Sequence, residues 1–127
     1  MVRQVFEVEH YWKVIVWYDA DYGFFDVIAS DLRKAGFMES AIDEVRNTME
    51  SSEAKAVTCS SERKHMSIVI FNRHTSKADY LNSIVHEAEH IKQAMLRVYS
   101  VEDRGEAPAY TIGYIVSRMY EVFRNFL

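Results

Sequence analysis

At 127 residues this chain has room for one ordinary hydrophobic core and not for two. Apolar residues make up 49% of it and charged residues 27%, with only 4 Gly and 1 Pro, which excludes a disordered or loop-dominated polypeptide. The formal net charge of -4 argues against a nucleic-acid partner, which needs a basic face; the basic cluster Arg63-Lys64-His65, flanked by Glu62, reads as a solvated turn.

A lone cysteine, Cys59, cannot form an internal disulfide, and its place in an alternating apolar stretch suits an inert buried thiol. The first residues, MVRQVFEVEHYWKVIVWYDAD, offer neither a long apolar h-region nor a small-residue cleavage site. No run approaches the roughly 18 apolar residues of a membrane span. The expectation is a cytoplasmic protein with no membrane partner.

In chain order, Val2 to Glu9 alternates loosely, and Tyr11 to Tyr18 is rich in aromatic and β-branched residues; both suit strands. The polar break at Glu9-His10 allows a hairpin, although no two-residue Gly turn marks it, and a single long bent strand is the alternative. Asp19-Ala20-Asp21 offers an N-cap for a helix carrying Phe24, Phe25, Val27, Ile28 and Leu32, ended by Gly36. Ser40, with Asp43 three residues on, opens a second helix whose apolar stripe is Ile42, Val45 and Met49.

Ala54 to Ser60 and Met66 to Asn72 are two further strands, paired as an antiparallel hairpin across the turn 61–65. Ser76, with Asp79 behind it, caps one long helix that reaches about Tyr99. A last helix runs from about Glu106 to Phe126, with Pro108 in its first turn, where a missing N–H costs little. The order β-β-α-α-β-β-α-α keeps strand pairs and helix pairs together, which predicts a single α+β domain over residues 1–127. Its short, mainly antiparallel sheet would pack on the long helix and the C-terminal helix.

The long helix carries His86-Glu87-Ala88-Glu89-His90, an H-E-x-x-H motif. Residues four apart share a helix face, so two imidazoles at that spacing can grip one metal ion, and Glu87, about 100° round from His86, can reach a metal-bound water. Zinc suits a two-imidazole site: it brings a bound water towards neutral pKa, and a carboxylate then takes the proton as that water attacks. A chance match somewhere in a chain of this His and Glu usage is roughly 2%, and the mid-helix placement behind an N-cap makes chance a poorer account.

A catalytic zinc usually has a third protein ligand. Glu102, Asp103 and Glu106 lie downstream, and Glu106 is preferred because it opens the next helix, which an antiparallel return would bring beside the motif. Glu89 falls on another face and reads as a surface carboxylate. His10 and His65 read as turn residues and His74 as a loop residue beside the helix cap. Tyr110, and Tyr114 one turn on, could hydrogen-bond an oxyanion, although packing accounts for most tyrosines. Tyr11, Trp12, Trp17 and Tyr18 form an aromatic group expected in the core.

HEAEH at 86–90 followed by EAPAY at 106–110 resembles the HExxH…ExxA arrangement of the ImmA/IrrE-type metallopeptidases of bacteria and mobile elements, within the gluzincin-like zincins. The resemblance spans roughly residues 66–120. It implies a zincin-like fold, a zinc ion held by His86, His90 and Glu106, and Glu87 as general base. It also implies a strand beside the site, expected to be Met66 to Asn72, that binds an extended substrate by β-addition. Tyr110 stands where that family often has Asn.

The expectation for function is a zinc metallopeptidase acting on a protein or peptide, with self-association (a homo-oligomer) as one way to complete so small a site. The alternative is a non-catalytic zincin-like domain that binds metal or a protein partner.

Overall fold

The computed structural model describes residues 1–51 and 55–126. Strands β1 (Val2–Val8), β2 (Trp12–Ala20), β3 (Ala56–Ser61) and β4 (Met66–Asn72) form one sheet in the order β1-β2-β4-β3. Helices α1 (Phe25–Lys34) and α2 (Glu39–Glu50) join β2 to β3, and α3 (Lys77–Tyr99) and α4 (Glu106–Phe123) follow β4. The expected α+β order of elements is therefore present. The strand expected from Ala54 begins at Ala56; Ala54 itself lies outside the described residues.

Two antiparallel hairpins, β1–β2 and β3–β4, lie side by side, joined by parallel pairing of β2 with β4. The sheet is thus mixed, with antiparallel pairs in the majority. The first hairpin turns through Glu9, His10 and Tyr11: Glu9 and His10 adopt left-handed φ, 54° and 64°, and Tyr11 N–H donates to Val8 O at 3.2 Å. Such a turn is usually built from Asn and Gly, and here Glu9 and His10 take those positions instead.

Alternation along the strands divides the apolar residues between two cores. Phe6, Val8, Trp12, Val14, Val16, Tyr18, Val69 and Phe71 share one with the inner stripes of α3 and α4. Ile15, Trp17, Val57, Cys59, Ile68 and Ile70 share the other with α1 and α2. The central strand β4 is covered on both faces, which is why Ile68 to Phe71 reads as an unbroken apolar run.

Helix α3 begins where Ser76 Oγ accepts from Asp79 N–H at 3.1 Å, and it ends at Ser100, whose left-handed φ of 54° turns the chain away. It lies over β3 and β4, while α4 lies over β1. Among the described residues no helix is long and apolar enough to cross a membrane.

Candidate functional site

Three of the residues singled out by the motif come together on α3, where it runs beside β3. At about 100° per residue, His86 and His90 stand about 40° apart in projection and one turn apart in height. Their Nε2 atoms face each other at 3.1 Å, with ring centroids 4.8 Å apart and planes at 78°. Two imidazoles on one tetrahedral zinc, each about 2.05 Å from the ion, hold their nitrogens about 3.3 Å apart, so this pair stands close to chelating geometry. At that distance one Nε2–H donates to the other Nε2.

Glu87 behaves differently from its neighbour. The His86 side chain is 66% exposed, whereas that of Glu87 is 6% exposed and turned under the helix. Thr58 Oγ1 donates to Glu87 Oε1 at 2.9 Å, and Glu87 Oε2 lies 3.9 Å from His86 Nε2. A buried carboxylate is retained only where its oxygens are satisfied, and Thr58 meets that demand for one oxygen. The other oxygen is left on the imidazole side.

These groups line a cavity of about 400 Å³ together with Glu44, Ala56, Ser60 and Arg97. Thr58 and Ser60 belong to the face of β3 that looks at α3, and a two-residue alternation could have marked them. Arg97 stands two turns beyond His90, on the same stripe of the helix. Glu44 carried no signal at all, because α2 packs on the opposite face of the sheet and the side chain reaches round its edge. Burial pushes the Cys59 thiol up to about 12, with the carboxylates of Glu44 and Glu87 adding to the effect, so it is the inert thiol expected.

Glu106 is not brought to the histidines. Among the described residues, no three His, Cys, Asp or Glu side chains are placed to share one metal ion. Helix α3 continues from Ile91 to Tyr99, about 13 Å beyond His90, before the chain turns. The first turn of α4 therefore sits at the far end of α3, where Ala107 and Thr111 share a cavity with Met95, Leu96 and Tyr99. The rotation is also wrong: Lys92, about 200° round from His90, holds Asp103 at 2.9 Å and Glu89 at 2.8 Å, so the α3–α4 connection lies on the opposite side of the helix. Glu102 pairs with Arg104 at 2.6 Å.

Tyr110 is likewise remote from the motif. It is 73% exposed and lines a separate cavity of about 640 Å³ with Glu7, His10, Tyr114 and Arg118. Tyr114 donates to the Glu7 carbonyl at 3.3 Å and accepts from Arg118 at 3.0 Å. Neither hydroxyl faces the imidazole pair's cavity.

The strand beside the site also differs from the expectation. Met66–Asn72 is β4, an interior strand paired on both sides, so it has no free edge. The edge beside the motif belongs to β3.

His74 fastens the start of α3 to the end of β4. Its Nδ1 lies 2.7 Å from the Asn72 carbonyl and its Nε2 2.8 Å from Ser83 Oγ, and its ring packs 4.5 Å from that of Tyr80. The carbonyl can only accept, so Nδ1 carries the proton and Nε2 accepts from Ser83. Burial holds the His74 pKa below the usual 6.5. The fold therefore favours the neutral ring, and no penalty arises above pH 6.5. As the pH falls below 6.5 the unfolded chain takes up a proton that the fold resists, so stability drops until the folded-state pKa is passed. Urea midpoints measured between pH 7 and pH 5 should fall, and His74→Gln should flatten that segment; an unchanged slope would refute the assignment.

Compared with known proteins, the chain matches no family model, no curated protein and no solved structure.

Proposed function

We propose that this chain is a zinc-dependent hydrolase of the HExxH type that cuts a peptide bond in a protein or peptide substrate in the cytoplasm. The observation that carries this reading is the convergence of His86 Nε2 and His90 Nε2 at 3.1 Å beside the second oxygen of a buried carboxylate. The two imidazole nitrogens would hold the ion. Bound zinc supplies Lewis acidity and lowers the pKa of a coordinated water.

Glu87 Oε2 takes the proton of the attacking water and passes it to the leaving nitrogen, while Thr58 keeps the carboxylate in the rotamer that faces the imidazoles. The ligand set reached by the described residues is two nitrogens, one fewer than a catalytic zinc usually has. That shortfall favours a second reading, a metal-binding or protein-interaction domain without catalysis, and it gives self-association a role in supplying a further donor.

Metal content, measured by mass spectrometry on the wild type and on His86→Ala purified side by side, tests the site. The expected result is about one zinc per chain, lost in the variant. A His86→Ala protein that keeps stoichiometric zinc, or a wild type that takes up none when metal is added back, would overturn the proposal. Cleavage of a peptide library, with Glu87→Gln as the inactive control, separates the two readings.

A further inference from the structure

The cavity at the motif is an open groove between the edge of β3 and α3, and its charges are unevenly placed. The bond from Asn72 N–H to Lys55 O, at 2.9 Å, sets the phase of the β3–β4 ladder. Lys55, Val57, Cys59 and Ser61 then face β4, and Ala56, Thr58 and Ser60 turn their N–H and C=O groups outwards. The same three residues point their side chains towards α3. An extended chain added to this edge would lie directly over the imidazole pair.

Helix and strand run in the same direction along this groove. Thr58 is joined to Glu87, and Glu62, one residue past the end of β3, is joined to Arg97 at 2.8 Å. Four strand residues span about 13 Å and ten helical residues about 15 Å, so the two rows keep pace. Arg97 consequently marks the Ser61 end of the groove. The other charged residues of the lining are the carboxylates Glu44 and Glu87, with the two imidazoles between. An anionic substrate group is repelled near the carboxylates and accommodated at Arg97.

The geometry points to Arg97 as the specificity-determining residue of the groove: it recognises a carboxylate on an extended peptide, three residues from the bond held at His86 and His90. The inference rests on the hydrolase reading for the position of that bond, but not for the binding itself. From His90 to Arg97 is about 10 Å along the helix axis, which an extended chain covers in about three residues. Antiparallel addition, the more stable pairing, makes the substrate run away from Arg97, so the acidic residue lies on the N-terminal side of the bond. The existing Arg97–Glu62 pair does not forbid this, because both side chains are more than half exposed and such a pair is readily exchanged.

The test uses Glu87→Gln protein, with and without added zinc, and fluorescence anisotropy with labelled Ala-rich decapeptides carrying one Glu, Gln or Lys. Glu peptides should bind roughly tenfold tighter than Gln peptides, the order of one charge-assisted hydrogen bond. Arg97→Glu should reverse the preference towards Lys peptides, Arg97→Lys should keep it, and Glu62→Gln should strengthen Glu-peptide binding by removing the internal competitor. Sequencing of products from the wild type should place Glu three residues before the cut. Absence of peptide binding, a preference that Arg97→Glu leaves unmoved, or Glu enriched only after the cut would overturn the inference. Arg97-dependent binding without any cleavage would sink the hydrolase reading alone, and cleavage without an Arg97-dependent preference would sink this inference alone.

Discussion

On the proposed zinc-hydrolase reading, Glu87→Gln is expected to keep about one zinc per chain while turnover of a peptide substrate falls by roughly 10²–10⁴-fold, the usual worth of a general base. The amide has the shape of the carboxylate, and its oxygen still accepts from Thr58, so the helix and the imidazole pair stay where they are. What it lacks is a lone pair basic enough to take a proton from water. Removing a charge from a side chain only 6% exposed also lowers the cost of burying it, so the unfolding midpoint of the variant should match or exceed that of the wild type. Loss of activity without loss of stability is the signature of a residue kept for chemistry. A variant with wild-type turnover would show that another group handles the proton, and one that unfolds would show that Glu87 is structural.

Trp12→Ala should cost about 3–5 kcal/mol, a large share of the roughly 5–15 kcal/mol that holds an ordinary domain folded. The side chain is completely buried under α3 and α4. Its ring stacks on His65 at 5.6 Å and meets Tyr99 edge-on at 6.4 Å. Its Nε1–H donates to Ser67 Oγ at 2.9 Å, and Ser67, itself buried, is 2.7 Å from Ser60 Oγ in the wall of the motif cavity. Trp12→Phe would keep most of the packing and break that chain of hydrogen bonds, at about 1–2 kcal/mol. Chemical denaturation of the three proteins reads the difference; a Trp12→Ala protein within 1 kcal/mol of the wild type would mean that the core closes over the gap.

Trp12 also marks how far local sequence carries. The aromatic group at Tyr11, Trp12, Trp17 and Tyr18 reads as core, but alternation sends its members to different places. Trp12 and Tyr18 enter the core under α3 and α4, Trp17 enters the core under α1 and α2, and Tyr11 is exposed. Similarly, Phe24, the N-cap of α1, and Val27 within it stand exposed, because the buried stripe runs through Phe25, Ile28, Ala29 and Leu32.

The order of elements, the Ser76 cap, the length of α3 and the grouping of His86, Glu87 and His90 were all legible in the sequence. Each depends on periods of two or 3.6 residues and on caps within a few residues, which are properties of the backbone close by. The same locality explains the missed parts of the candidate site. Whether Glu106 meets the histidines depends on how far α3 runs past His90 and on which side of it α4 packs. The apolar faces and the Lys92–Asp103 pair decide both.

Strand order is equally absent from local patterns: the parallel junction of β2 with β4 buries Met66–Asn72 in the sheet and leaves β3 as the edge beside the motif. Thr58, Glu44 and Arg97 join His86, Glu87 and His90 from a strand, a helix on the far face and a later turn of α3, and only the packing of the sheet sets their distances. The sequence by itself determined which side chains share one helix face, because helix geometry is local. The tertiary structure decided what stands opposite them, because that depends on burying apolar surface over the whole domain.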